Sequence, residues 1–128
     1  MIGFNHLGRL GRFGNQMFQY AALRGIAANN QTNFCLPIYH DAMNDGVGNM
    51  NKTELFDCFK METVSELNIQ AIDYSRPFVT EESFNFNPVV FNNCPDWITL
   101  YGFFQTEKYF KNVEQTIRKD FQFKDEIQ

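Results

Sequence analysis

A short apolar run, a glycine-rich basic loop and a helical pattern follow one another at the start of the chain, and this order constrains the fold most. Residues 1–4 are apolar enough for a buried strand. Glycines at positions 3, 8, 11 and 14 then permit tight turns. In residues 15–28, apolar side chains recur at spacings of three and four, which predicts a helix of about 14 residues. Strand, loop and helix in this order indicate an α/β fold.

The junction between this loop and the helix suits an anion. The first-turn amides of a helix carry partial positive charge, and Arg9 and Arg12 add full charges just ahead of them. The glycine spacing matches neither the dinucleotide fingerprint nor the phosphate loop of nucleotide hydrolases. The residues alone therefore leave two interpretations open, an anion site and an ordinary connection between a strand and a helix.

Further patterns along the chain support an α/β fold. Residues 32–36 predict a short buried strand, which a right-handed crossover would place parallel to the first strand. Residues 53–60 are expected to form a short helix. The alternation in residues 83–87 resembles a strand, although asparagines and a nearby proline weaken it. Residues 40–52 are polar and aperiodic, and a solvent-exposed loop is favoured there over a role in binding.

The strongest candidate for an interior strand is 98–104, which is rich in β-favouring apolar residues. Thr106 is then expected to cap a helix that ends near Asp120. We therefore predict an open, mainly parallel sheet flanked by helices.

The predicted sheet brings two further polar side chains into consideration. If strand 98–104 runs parallel to the first strand, both end at the same edge, where α/β proteins bind ligands. Gln105 and Glu107 would then lie near Arg12 and Asn15. For Glu107, interaction with the helix dipole and Lys111 is the simpler explanation, and for Gln105 both interpretations stay open.

Composition limits the chain to one α/β domain spanning residues 1–128. It has 44% hydrophobic residues and 15 phenylalanines, enough for one core. A net charge of −4 argues against nucleic acid as a partner. Three widely spaced cysteines indicate neither a disulfide framework nor a zinc site. No apolar run is long enough for a membrane span, so we expect no integral membrane segment.

Two blocks of sequence resemble a known family. Residues 11–23, Gly-Arg-Phe-Gly-Asn-Gln-Met-Phe-Gln-Tyr-Ala-Ala-Leu, resemble the amino-terminal signature of the family 11 glycosyltransferases, the α-1,2-fucosyltransferases. Residues 100–110, Leu-Tyr-Gly-Phe-Phe-Gln-Thr-Glu-Lys-Tyr-Phe, are similar to their second recurrent block, and 55–59 are also family-like. The core of the first block is similar to the corresponding loop of protein O-fucosyltransferases as well. Two blocks about 90 residues apart are more specific than one motif.

The resemblance implies the amino-terminal domain of a GT-B type glycosyltransferase. It implies transfer of L-fucose from GDP-fucose to a glycan hydroxyl, with inversion and with neither cofactor nor metal required. The expected location is cytoplasmic, or peripheral at the membrane where glycans are assembled. By the same resemblance Arg12 and Asn15 are the candidate catalytic residues, Arg12 for the departing diphosphate and Asn15 for positioning sugar or acceptor. The candidate substrate-binding residues are Gly11, Gly14, Gln16, Gln105 and Glu107, and for Gln16 a structural amide is an equal alternative.

The chain departs from the family in one respect. The family's His-x-Arg-Arg-x-Asp motif, whose arginine binds the donor diphosphate, is absent, and no Arg-Arg pair occurs. We therefore expect a fragment or a truncated product that needs a missing carboxy-terminal, donor-binding domain for activity. The alternatives are a stand-alone carbohydrate- or nucleotide-binding module and an inactive remnant.

Four further residues invite assignment as a general base, because each can accept a proton. They are His6, His40, Asp41 and Asp45. No matching partner is evident in the sequence for any of them, and surface or core roles are favoured.

Overall fold

A five-stranded parallel sheet organises the chain in the computed structural model, which describes residues 1–7, 13–37 and 55–124. The strands are β1 (Ile2–Gly3), β2 (Phe34–Pro37), β3 (Ile69–Gln70), β4 (Phe78–Thr80) and β5 (Thr99–Tyr101). Their spatial order is β3-β2-β1-β5-β4, and every neighbouring pair is parallel. The predicted open α/β sheet is confirmed.

Helices connect and flank these strands. They are α1 (Phe13–Asn29), α2 (Leu55–Cys58), α3 (Pro88–Asn92) and α4 (Glu114–Asp120), with 3₁₀ turns at Glu66–Asn68, Glu107–Tyr109 and Lys111–Val113. The helix α1 is the longest, and it contacts β1, β2, α3 and both 3₁₀ turns that precede α4. It is therefore the element on which the rest of this layer packs.

The unit β1-α1-β2 was predicted correctly apart from its bounds. The helix spans Phe13–Asn29 rather than 15–28, and β2 starts at Phe34 rather than at position 32. Thr32 donates its N–H to the Ala27 carbonyl at 3.1 Å, so it still belongs to the turn that ends α1. The two strands are parallel, as predicted.

The interior strand predicted at 98–104 exists, but it is shorter. It spans Thr99–Tyr101 and lies between β1 and β4. Gly102, with φ 148°, and Phe104, with φ 51°, then adopt left-handed conformations that turn the chain out of the sheet. The turn is anchored because the Phe104 side chain is fully buried.

The segment 106–120 is not one continuous helix, so that prediction is wrong. Two 3₁₀ turns precede α4. They pack tightly on α1: a Cβ atom at Gly25 would lie 1.8 Å from the Tyr109 carbonyl oxygen, and Asn112 Nδ2 donates to the Gly25 carbonyl at 3.1 Å. This contact with α1 outweighs the helical pattern of the sequence, because propensity is a weak local term.

Two other predictions change in detail. Residues 83–87 form no strand: Phe84 is exposed, and Asn87 caps α3 by accepting the Val89 N–H at 2.9 Å. The short helix predicted at 53–60 is confirmed within the described residues as Leu55–Cys58. The polar segment 40–52 lies outside the described residues.

The sheet has two unlike faces because side chains alternate along each strand. On one face Ile2, Leu36 and Leu100 are buried in the main core, together with the apolar side of α1. On the other face, a Cβ atom at Gly3 would meet Cys35 Sγ at 3.3 Å and Arg76 Cδ at 3.6 Å. The buried side chain of Arg76 thus crosses β1 on the face opposite α1.

A buried polar cluster joins α1 to the end of α4. The carboxylate of Asp120 is fully buried and accepts hydrogen bonds from the Tyr20 hydroxyl, from Arg24 at 3.2 Å and from the Thr63 backbone N–H at 2.8 Å. Arg24 also stacks over the Phe34 ring at 4.3 Å. Burial raises the pKa of Tyr20, so its hydroxyl stays protonated and continues to donate. The buried side chain of Asp120 is therefore hydrogen-bonded by several partners.

The three cysteines are free thiols. Burial raises the pKa of Cys94 to about 11 and also raises the pKa of Cys35. Thiolate is the nucleophilic form, so neither of these two side chains is activated for chemistry.

Candidate functional site at the carboxyl edge of the sheet

The candidate site lies where β1 and β5 end side by side. Gly3 pairs with Thr99 in parallel register, so the carboxyl ends of both strands face the same edge. The chain leaves β1 toward α1, and after β5 it continues into the turn at 102–105. Ligands of open α/β sheets bind outside the carboxyl ends of such strands. The predicted edge is therefore present.

A hydrogen bond joins the two sequence blocks at this edge. Gln105 Nε2 donates to Asn15 Oδ1, although the two residues are 90 positions apart. Asn15 belongs to the first turn of α1 and is half-buried, whereas Gln105 is exposed. The predicted proximity of these two side chains is confirmed, while their roles in binding or catalysis stay predictions.

The amide of Asn15 is oriented by this contact. Its oxygen accepts from Gln105, so the Nδ2 group is the end that can donate to a ligand oxygen. Phosphate and hydroxyl oxygens are both suitable acceptors for such a donor. The pair thus presents an amide donor beside the positive end of α1, whose first turn contains no acidic residue.

Glu81 fixes the turn that carries Gln105. Its carboxylate accepts the N–H groups of Phe103 at 3.1 Å and of Phe104 at 3.1 Å, and its own N–H donates to the Tyr101 carbonyl at 2.8 Å. A Cβ atom at Gly102 would lie 2.5 Å from Glu81 Cβ, so the turn closes directly over this side chain. Glu81 therefore sets the position from which Gln105 reaches Asn15.

The sequence pattern does not predict the role of Glu81. It directly follows the edge strand β4, next to a second glutamate, and its partners are 20 to 23 residues away. The one available signal was the glycine at position 102, which marks a tight turn after β5. No spacing rule connects that turn to a particular acid.

Replacement of Glu81 by glutamine is expected to loosen the turn. The neutral amide accepts more weakly than a carboxylate, so the amide protons of Phe103 and Phe104 should exchange about tenfold faster with solvent. Hydrogen exchange followed by NMR measures this directly. Glu82→Gln is the matched control, because Glu82 is the exposed neighbour. Equal protection in both variants would show that Glu81 does not hold the turn.

The remaining predicted site residues are placed differently. Gly14 is exposed, and no atom of the described residues around it lies within 4 Å of where a Cβ would be. Gln16 is only 1% exposed, which favours its interpretation as a structural amide. Glu107 is exposed at the start of a 3₁₀ turn that Thr106 caps. A negative charge there interacts favourably with the free N–H groups of the turn, which fits the simpler explanation given for this residue.

Several candidates are not located by the structure. Gly11 and Arg12 lie outside the described residues, as do Arg9, His40, Asp41 and Asp45. The proposed role of Arg12 thus continues to depend on the sequence resemblance. His6 is described, and its ring packs against the rings of both Phe78 and Tyr101.

Two further observations concern metal binding and membrane spans in the described residues. In residues 1–7, 13–37 and 55–124, no three His, Cys, Asp or Glu side chains are grouped closely enough to bind a metal ion. Over the same part of the chain, no helix combines the length and the apolar character needed to cross a bilayer.

Comparison of the chain with protein-family models, with curated proteins and with solved structures finds no match.

Proposed function

We propose that this chain is a fucosyltransferase domain of the family 11 type. Acting with a donor-binding domain in a GT-B arrangement, it transfers L-fucose from GDP-fucose to a galactoside hydroxyl in α-1,2 linkage. The observation that supports this most is the hydrogen bond between Gln105 and Asn15. It joins the two blocks whose sequences resemble that family, at the edge of the sheet where α/β proteins bind ligands.

The chemistry requires charge stabilisation and positioning. As the acceptor hydroxyl oxygen attacks the sugar carbon, the bond from that carbon to the β-phosphate oxygen breaks, the hydroxyl proton passes to water, and negative charge grows on the departing GDP. Arg12, by resemblance, and the first-turn amides of α1 are suited to stabilise that charge. Asn15, oriented by Gln105, is suited to hold a sugar or phosphate oxygen in line with the reaction.

The need to position Asn15 explains why a side chain from the second sequence block, Gln105, contributes to the site. Without Gln105, the Asn15 side chain loses the contact that links it to the second block. With Gln105 bound, the position of the Asn15 side chain is set before any ligand arrives. Preorganisation of this kind lowers the cost of binding and of reaching the transition state.

The test is titration of the chain with GDP, followed by ³¹P NMR, which detects weak binding. Asn15→Ala and Gln105→Ala are each expected to weaken the apparent affinity about tenfold, because each disturbs a hydrogen bond near a charged ligand. Gln115→Ala is the control, since Gln115 is an exposed glutamine on α4. Absence of saturable binding by the folded chain, or equal affinity in all variants, would contradict the proposal.

A further inference from the structure

An open aromatic cleft lies on the sheet face opposite α1. Among the described residues, four line it: His6, Phe78, Thr80 and Tyr101, around a volume of about 380 Å³. This volume falls within the range of small-molecule sites, roughly 300–1,000 Å³. We call it the aromatic cleft.

The strand register brings these residues together. Phe78 and Thr80 are two positions apart on β4, so they share a face of the sheet. Thr80 pairs with Tyr101 in parallel register, which places Tyr101 on that same face. His6 follows β1 in a turn that lies beside β5. The cleft therefore opens near the carboxyl ends of three adjacent strands.

The rings of His6, Phe78 and Tyr101 pack against one another, and the Phe78 ring is largely exposed. His6 and Tyr101 meet edge to face, with centroids 5.1 Å apart and planes at 87°. Phe78 and Tyr101 meet in the same manner at 5.7 Å and 83°. These two contacts restrict the orientation of the Tyr101 ring. Phe78, however, is 57% exposed, so much of its ring is available to a ligand.

The lining indicates the chemical class of that ligand. Among the described residues, no lysine or arginine lines the cleft, and the whole chain carries a net charge of −4. Aromatic faces beside a hydroxyl and an imidazole suit a ring that has C–H groups on one side and hydroxyls at its rim. A neutral sugar has this character.

We propose that the aromatic cleft binds a neutral sugar ring, with Phe78 as the stacking surface and Thr80 as a hydrogen-bonding partner. Its identification as the acceptor sugar rests on the proposed function. The cleft and the Asn15–Gln105 pair lie at the same end of the sheet. A sugar in the cleft would thus lie at the same end of the sheet as a donor bound at the start of α1.

The test uses the whole chain and methyl β-galactoside as the probe. Chemical-shift mapping with aromatic ¹³C labelling should show saturable shifts at Phe78 and Tyr101. Phe78→Ala is expected to weaken binding at least about tenfold, the loss of one stacking contact. Thr80→Val, which keeps the shape of the side chain, should weaken it by a smaller factor. Phe84→Ala is the matched control, because Phe84 is 76% exposed and does not line the cleft.

The outcomes separate this proposal from the one on which it rests. Equal galactoside affinity of the unmodified chain and Phe78→Ala, or no saturable shift with excess galactoside, would overturn the sugar site. GDP that shifts Phe78 and Tyr101 in place of the galactoside would also overturn it. Galactoside binding in the cleft without any GDP binding would support the sugar site and contradict the fucosyltransferase assignment.

Discussion

Gly25→Ala is expected to lower the free energy of unfolding by about 4 kcal/mol, at the upper end of single-substitution effects. The added Cβ atom would lie 1.8 Å from the Tyr109 carbonyl oxygen and 2.7 Å from Phe110 Cα. Both obstacles are backbone atoms, so no side-chain rotation relieves the clash. The 3₁₀ turn at 107–109 would have to move away from α1.

Chemical denaturation measures this loss, and the same helix provides its control. Gly14 also lies in α1, but a Cβ atom there would meet no neighbour within 4 Å in the part of the chain that the structure describes. Gly14→Ala should therefore stabilise the helix by about 0.5–1 kcal/mol, the ordinary advantage of alanine over glycine. Similar effects of the two substitutions would show that the contact between Gly25 and Tyr109 is not close.

Asp120→Asn should cost about 3 kcal/mol, because it leaves Arg24 without its carboxylate partner in a largely buried position. The Arg24 side chain is 15% exposed and that of Asp120 is fully buried, so solvent screens the pair little. The asparagine NH₂ group would also face donors, since the Tyr20 hydroxyl and the Thr63 N–H both point at this side chain. Lost charge and mismatched donors thus act in the same direction.

An exposed pair on the same helix is the control for Asp120. Glu114 accepts from Arg118 at 2.7 Å, and both side chains are well exposed to solvent. Glu114→Gln should change the free energy of unfolding by less than about 0.5 kcal/mol. If urea denaturation showed that Asp120→Asn lowers the free energy of unfolding as little as Glu114→Gln does, the buried cluster would not stabilise the fold.

The parts of the fold that sequence reasoning predicted are those specified by local pattern. The run at 1–4, the helical periodicity after it and the apolar segment near 98–104 each indicate their own element. Chain order and crossover handedness then predict parallel strands. The proximity of Gln105 to Asn15 was expected only if strand 98–104 runs parallel to the first strand, and the structure meets this condition.

Features that depend on distant partners could not be predicted. The break in 106–120 results from the packing of Tyr109 on Gly25, a contact across 84 positions in a pattern that is locally helical. Asp120 appeared only as the end of a helix, because its partners Tyr20 and Arg24 lie about 100 residues away. Such pairings are decided by tertiary packing, which outweighs local propensity.

The aromatic cleft likewise combines local patterns that the sequence contains with distant contacts that it does not reveal. Strand residues such as Phe78 and Tyr101 carry the alternation that a sheet requires, yet the sequence does not reveal which strands are neighbours. The register between β4 and β5 places these rings on one face. Their meeting with His6 then depends on the adjacency of β1 and β5.

The most direct test of the proposed function is a ¹⁵N chemical-shift titration of the chain with GDP-fucose, with free fucose titrated in parallel. The proposed function predicts saturable shifts of the Asn15 and Gln105 side-chain amides and of the Gly14 backbone amide, with the same apparent affinity. Free fucose should leave the Gly14 amide unmoved, because the diphosphate provides the interaction with the start of α1. Saturable shifts elsewhere with these three groups unmoved, or no saturable shift at all, would contradict it.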